Sequence, residues 1–377
     1  VPDATTSLPS TVYRSFGYIA RRARERLTEY LHLANPAAWT KRCYRVEIPG
    51  GMHIVYRGRA DHADMLTALF GASGCGEGGE PDRSRDVFVS ELPAFGSLRI
   101  PSMVKTVVPL GRSTDDILAS YGKSLRRSVS ALRAEYRYER VTDPAVVDHL
   151  DQTMLRPYVE ARHEAGGVQL PRDVVQHLAL GPVGALYALK KGDEVVGCHL
   201  GHTYVRGGKR YWHVNRFGYP EAIFSDPKVW GDANSINLFL ALDVAQEFGC
   251  EYCDYGDSLA RPGDGLLEWK RRRKGFLGID WMTSVFYVRP PRHHSAAFFW
   301  AMPLFSARGR KLTLNLGIPA DKTDEEVAAR WHQMGFGGLH RVDVYADRPL
   351  GEATVNLIRE LYAEEYRKPV IRVIVRA

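Results

Sequence analysis

Between residues 253 and 274 the chain concentrates groups capable of chemistry. Cys253-Asp254-Tyr255-Gly256-Asp257-Ser258 reads as a strand that ends at a glycine. A loop rich in glycine, proline and aspartate follows through Gly263-Asp264-Gly265, then Trp269-Lys270 and the cations Arg271, Arg272, Arg273 and Lys274. A lysine beside flexible backbone, with further cations next to it, makes a setting that attracts anions. The chemistry that such a setting suggests is transfer of an acyl group from a phosphate-rich donor. Aminolysis of an ester or thioester passes through a tetrahedral oxyanion, which backbone N–H groups or a fixed cation must stabilise. Lys270, beside Gly263 and Gly265, is suited to that task; an ordinary strand-end lysine with a packed tryptophan is the alternative. Asp254, Asp257 and Asp264 are the nearby carboxylates. One of them accepts the amine proton or orients an ammonium acceptor, unless Asp254 caps local backbone instead.

A second group is Tyr211, His213, Asn215 and Arg216, at the end of a strand. Alternation places Tyr211, His213 and Asn215 on one face and Trp212 on the other. The histidine is equally compatible with a buried structural role. Asn234 and Ser235 open a helix expected to run to Phe248, stopped by Gly249, where they offer polar contacts or a plain N-cap.

These groups need a scaffold, and the chain can build one. Its 377 residues are 45% hydrophobic and 25% charged, enough for two domains with sizeable cores. No apolar run approaches membrane-spanning length; Ala296 to Phe305 is the nearest and contains a proline. Five cysteines (Cys43, Cys75, Cys198, Cys250, Cys253) argue for a reducing, cytoplasmic compartment. Cys250 and Cys253 form a lone C-x-x-C whose members point to opposite faces of a strand, poor geometry for a shared metal, so neither metal nor cofactor is expected. The formal charge of +7 is clustered: Arg14, Arg21, Arg22, Arg24 and Arg26; then Lys123, Arg126, Arg127, Arg133, Arg137 and Arg140; then Lys270 to Lys274. Local potential of this kind recruits polyanions, or it is simply solvated surface.

Along the chain, residues 11–33 read as an amphipathic basic helix, followed by strands at 42–47, 52–57, 86–90 and 98–108 and a loop at 73–84. Residues 114–134 read as one helix, with Ser113 and Asp116 in a capping box, and 144–163 as another. Strands at 184–190 and 194–204 form a hairpin, and 209–215 a third strand. Past residue 300, strands and helices alternate β-α-β-α-β to 375. The expected domains are a strand-rich lobe at 1–112, an α/β domain at 113–290 and a lobe at 291–377 that stands alone or completes the first.

Three stretches carry a family resemblance. Ser120 to Arg133, the hairpin Leu186 to Gly197, and Asp254 to Lys270 resemble, in order and spacing, the Fem-type aminoacyltransferases and their FemAB-like relatives. The resemblance covers about 115–280. It implies an α/β fold of two acetyltransferase-like units, with mixed sheets flanked by helices. It implies an N-acyltransferase that moves an aminoacyl group from aminoacyl-tRNA to an amine, a cell-wall precursor or a natural-product intermediate. Lys270 and the backbone at Trp269 then stabilise the oxyanion, and Asp254 joins them as a catalytic group. Arg126, Arg127, Arg271, Arg272, Arg273 and Lys274 hold the donor's phosphates. Tyr211, His213, Asn215, Arg216, Asn234, Asp257 and Asp264 place the acceptor. After the aromatic-lysine pair this chain has Arg271 to Phe276, where relatives carry an aromatic residue before the glycine.

Two other readings stay open. One is an acyl-CoA-dependent N-acyltransferase on the same fold, although the Arg/Gln-x-x-Gly-x-Gly/Ala pattern that cradles CoA pyrophosphate is missing from Lys228 to Asn237. The other is a non-catalytic module that binds polyanions. Gly256-Asp257-Ser258-Leu259 matches the GDSL hydrolases only superficially. None of His293, His294, His332 and His340 has an aspartate three residues before it.

Overall fold

The computed structural model describes residues 43–48, 52–58, 62–71, 75–77, 86–163, 169–279, 283–291, 295–362 and 368–375. The basic helix expected at 11–33 lies outside them. The chain opens with β1 (Cys43–Ile48), β2 (Met52–Arg57), α1 (Ala63–Phe70), β3 (Cys75–Glu77), β4 (Val87–Ser90), β5 (Leu98–Pro101) and β6 (Met103–Pro109). Next come α2 (Thr114–Ala119), α3 (Lys123–Glu135), β7 (Tyr136–Val141), α4 (Pro144–Leu150), a π-helical turn (Asp151–Leu155), α5 (Arg156–His163) and α6 (Arg172–Leu180). The middle of the chain forms β8 (Gly184–Lys191), β9 (Glu194–Arg206), β10 (Lys209–Gly218), α7 (Glu221–Phe224), α8 (Pro227–Glu247), β11 (Tyr252–Leu259), α9 (Gly265–Arg271) and β12 (Phe276–Gly278). It closes with β13 (Val285–Arg289), α10 (Ser295–Ala301), β14 (Leu304–Arg308), β15 (Lys311–Ile318), α11 (Asp324–Trp331), β16 (Arg341–Ala346), α12 (Glu352–Glu360) and β17 (Val370–Val375).

These elements fall into two compact units. One takes the chain up to Val104, Leu259–Asp264 and everything from Ile279; the other takes Lys105–Ser258 and Gly265–Gly278. The first unit holds a six-stranded sheet in the order β3-β1-β2-β4-β13-β5 and a four-stranded sheet in the order β14-β15-β16-β17. In the latter, β15, β16 and β17 are parallel, with α11 and α12 as the crossovers that parallel pairing requires. Helix α11 starts on a capping box between Thr323 and Glu326.

The second unit is one seven-stranded sheet, β12-β6-β11-β10-β9-β8-β7. Helix α8 lies on one face, and Ile236, Leu238, Phe239, Leu242 and Ala245 are buried with Tyr187, Trp212, Val214 and Cys253. On the other face, α4, the π-turn and α6 cover Leu186, Ala188, Cys198 and Leu200. With both faces covered, β8 is buried from Gly184 through Leu189, which is why it reads as an unbroken apolar run.

Several helices differ from expectation for local reasons. The helix expected over 114–134 is two, broken at Ser120–Gly122; Ser113 Oγ accepts from the Asp116 N–H at 3.1 Å and caps the first. The helix expected to open at Asn234 opens two turns earlier, where Asp226 accepts from the Lys228 and Val229 N–H groups and Pro227 fills the first position. Trp269 and Lys270 stand on helix α9 and not at a strand end. β3 falls inside the segment expected to be loop.

The π-turn packs against β10 at Gly218. A Cβ there would lie 2.8 Å from Cys198 Sγ, the Leu155 nitrogen and the Met154 carbonyl carbon. Gly218→Ala is therefore expected to cost about 1–3 kcal/mol, read as a lower urea midpoint; an unchanged midpoint would mean that the π-turn yields without cost.

Candidate functional site

β10 and β11 run parallel and pair at only three rungs: Tyr211–Tyr252, Trp212–Cys253 and His213–Asp254. Both strands continue, to Gly218 and Leu259. They part for two local reasons. β10 carries a bulge between Val214 and Arg216, and Gly256 in β11 takes φ +75°, a left-handed conformation suited to glycine. Helix α9 holds the second bend, because Lys270 Nζ donates to the Gly256 and Asp257 carbonyls at 3.0 and 2.9 Å. Beyond the last rung the two facing edges are free of each other.

The side chains of that last rung form the centre of the site. Asp254 is fully buried. Its Oδ2 accepts from Lys105 Nζ at 3.0 Å and Tyr204 Oη at 2.8 Å, and faces His213 Nδ1 at 3.2 Å. Its Oδ1 accepts from the Gly256 N–H at 2.9 Å. Burial alone would raise the Asp254 pKa, but His213 and Lys105 outweigh it and hold the carboxyl well below the usual carboxylate range. Burial, reinforced by Asp254, pushes the Tyr204 phenol far up, so Tyr204 remains a donor. An ionised Asp254 assigns the imidazole proton of His213 to Nδ1 and leaves the Nε2 lone pair as a base. The His213 side chain keeps 25% of its surface exposed, enough to meet a substrate. Next to it lies His202, its ring 5.2 Å away and its pKa pushed down to about 4, chiefly by burial.

Two rungs back, Tyr211 stacks between Tyr204 and Tyr252 with ring centroids 5.0 and 4.8 Å apart. These cross-strand neighbours share the face of His213 and Asp254. The sequence reading put Asn215 on that face as well. A bulge intervenes there: Arg216 pairs opposite Leu200 and takes the face of His213, and Asn215 Oδ1 accepts from Arg216 Nε at 3.3 Å. Asp257 is exposed and stands 3.6 Å from Lys105 Nζ. Asn234 does not cap a helix; it lies inside α8 and accepts from Tyr219 Oη at 3.2 Å. Asp264 belongs to the first unit, where its N–H donates to the Arg261 carbonyl.

The cationic run after Lys270 is divided in its tasks. Lys270 itself is buried, with its ammonium on the Gly256 and Asp257 carbonyls. Arg271 grips Glu268 through two hydrogen bonds of 2.7 and 2.5 Å. Arg273 is turned inward: it donates to Ser235 Oγ and the Trp269 carbonyl, lies 3.9 Å over the Trp269 ring, and burial lowers its pKa to about 10. Arg272 is exposed and Lys274 half-buried. On α3, Arg126 and Arg127 are exposed, with Arg126 donating to the Ala119 carbonyl. Arg273 lies near enough to Tyr121, in the turn before α3, for its charge to oppose the burial-driven rise of that phenol.

Sequence reasoning missed Lys105, Tyr204 and His202. Lys105 is the one charged residue in a mainly apolar strand whose burial alternates, which was the available signal. No group of three or more His, Cys, Asp or Glu that would hold a metal occurs among the described residues. No helix among them is long and apolar enough to cross a membrane.

No protein-family model and no curated protein matches the chain. Solved structures similar to it include FemX, at 10% identity over 66% of this chain and 83% of that one, with a TM-score of 0.36. L-PGS from Bacillus licheniformis is 17% identical over 66% of this chain and 81% of its own, with a TM-score of 0.35. A GCN5-related N-acetyltransferase from Anabaena variabilis is 11% identical over 87% of this chain and 84% of its own, with a TM-score of 0.28. Fem-type and acetyltransferase structures are thus among its neighbours, at a level of likeness that speaks to neither substrate nor reaction.

The depressed pKa of Asp254 has a stability consequence. A carboxyl whose folded pKa lies below its unfolded value stabilises the fold fully above the unfolded value, and loses that contribution as pH falls through the folded one. Asp254→Asn should therefore lower the melting temperature at pH 7, and the gap to wild type should narrow as pH drops below about 4. A gap independent of pH would mean that the charge is not what the site stabilises.

Proposed function

We propose that the chain is an N-acyltransferase that moves an aminoacyl group from aminoacyl-tRNA onto an amine, borne by a cell-wall precursor or a natural-product intermediate. The observation that carries this reading is the parting of β10 and β11 at the rung where His213 faces an ionised, buried Asp254. Two strand edges that no longer pair with each other offer N–H and C=O groups to an extended amide-bearing substrate. The base stands at the mouth of that gap.

In the reaction, the amine nitrogen attacks the ester carbonyl carbon, forming the C–N bond. His213 Nε2 takes the amine proton while Asp254 holds the ring through Nδ1 and stabilises the imidazolium. The tetrahedral intermediate collapses with cleavage of the ester C–O bond, and the imidazolium returns the proton to the departing ribose hydroxyl. Edge N–H groups of β10 and β11 receive the oxyanion. Lys270 serves from behind, fixing the bend at Gly256 and adding a buried positive charge. Lys105 and Tyr204 keep Asp254 ionised and in place. Tyr211, Asp257 and Arg216 border the approach of the acceptor amine. Arg126, Arg127, Arg272 and Lys274 meet donor phosphates, while Arg271 and Arg273 brace that surface through Glu268 and Ser235.

Amide formation from charged tRNA and a panel of amines tests the reading. His213→Ala should lower the rate about 10²–10⁴-fold with tRNA affinity unchanged. Activity that persists in His213→Ala would remove the histidine from the mechanism. Transfer that runs on acetyl-CoA and survives RNase would replace tRNA by a thioester donor.

A further inference from the structure

On the opposite face of the same sheet, under the end of α8, lies a cavity of about 480 Å³ lined by Tyr138, Arg140, Tyr187, Glu247 and Phe248. Tyr138 and Arg140 alternate along β7, so they share a face, and Tyr187 of β8 sits directly opposite Arg140. Glu247 and Phe248 come from the last turn of α8. The volume suits a small molecule of amino-acid size.

The charges around it are arranged unusually. Arg140 and Glu247 are both exposed and flank the same cavity, yet they do not form an ion pair with each other. The Arg140 guanidinium stands 5.8 Å from the Phe248 ring centre. Glu247 accepts from Tyr187 Oη at 3.2 Å through Oε2, which leaves Oε1 for another donor. Tyr187 stays protonated, because burial and then Glu247 push its pKa up to about 12. The carboxyl end of the 21-residue helix α8 adds its own negative potential beside Glu247. A simple cation would meet Arg140, and a simple anion would meet Glu247 and the helix end. A ligand that carries both charges meets neither penalty.

We propose that this cavity binds a zwitterion, an α-amino acid with an aromatic or apolar side chain. Arg140 takes its carboxylate, Glu247 and the helix end take its ammonium, and the rings of Phe248 and Tyr138 cover its side chain. The site is independent of the acyl-transfer reading. It connects to the interior, since Tyr138 Oη donates to Asn237, Asn237 Nδ2 donates to Tyr219 Oη at 2.9 Å, and Tyr219 donates to Asn234.

Isothermal titration of the full chain with L-phenylalanine, L-phenylalaninamide and N-acetyl-L-phenylalanine at low ionic strength tests the proposal. L-Phenylalanine should bind saturably, and each analogue, lacking one charge, about tenfold or more weakly. Arg140→Gln should abolish the preference over the amide, and Glu247→Gln the preference over the N-acetyl form. His213→Ala should leave all three affinities unchanged. Absence of saturable binding, or equal binding of the three compounds, would overturn the proposal. So would loss of binding in His213→Ala, which would place the ligand at the other face. Should either cavity variant fail to fold, the three-compound comparison on the wild-type chain decides alone.

Discussion

The second unit is organised around one buried carboxylate. An ion taken fully out of water survives only if donors surround it. Asp254 collects Lys105 from β6, Tyr204 from β9, His213 from β10 and a backbone N–H from its own strand, β11. Those partners converge only when β6, β11, β10 and β9 stand in that order, which is the order of the sheet. Loss of any one partner leaves buried charge uncompensated, so the pairing of strands distant in sequence and the state of the site are fixed together.

The same residue marks where the sheet stops being a sheet. Up to the His213–Asp254 rung the ladder is regular; past it, the bulge in β10 and the left-handed Gly256 turn the strands apart. Bulges commonly re-aim side chains near sites of function. Here the bulge brings Arg216 round to the face of His213. Lys270 acts on this geometry from beneath, as a brace for the bend, and the Arg273–Ser235 and Arg273–Trp269 bonds tie the end of α9 to α8. Stability and the proposed chemistry therefore draw on the same few groups.

Much of this scaffold was legible in the sequence because its signals are local. The alternating hairpin of β8 and β9, the strand through Asp254 and the β-α-β-α-β tail all declare themselves by period and by turn residues. Helix α8 began earlier than expected because Asp226-Pro227 supplied the stronger cap, while the polar run at Asn234-Ser235 only imitated one. The bulge at Asn215 left no trace, since it carries no glycine and its flanking residues suit a strand. The site was legible only in half. Asp254 and His213 could be singled out by type and place, but Lys105 reaches Asp254 across 149 residues and Tyr204 across 50, and nothing local in the chain announces either contact.

The central claim is that an acyl donor enters where β10 and β11 part. Backbone amide NMR of the chain titrated with a non-hydrolysable 3′-aminoacylamino-adenosine tests it most directly. The account predicts shifts concentrated at Asn215, Arg216 and Phe217 on one edge and Gly256, Asp257 and Ser258 on the other, together with the His213 ring. Shifts confined to other elements, or none on those two edges at saturation, would contradict it.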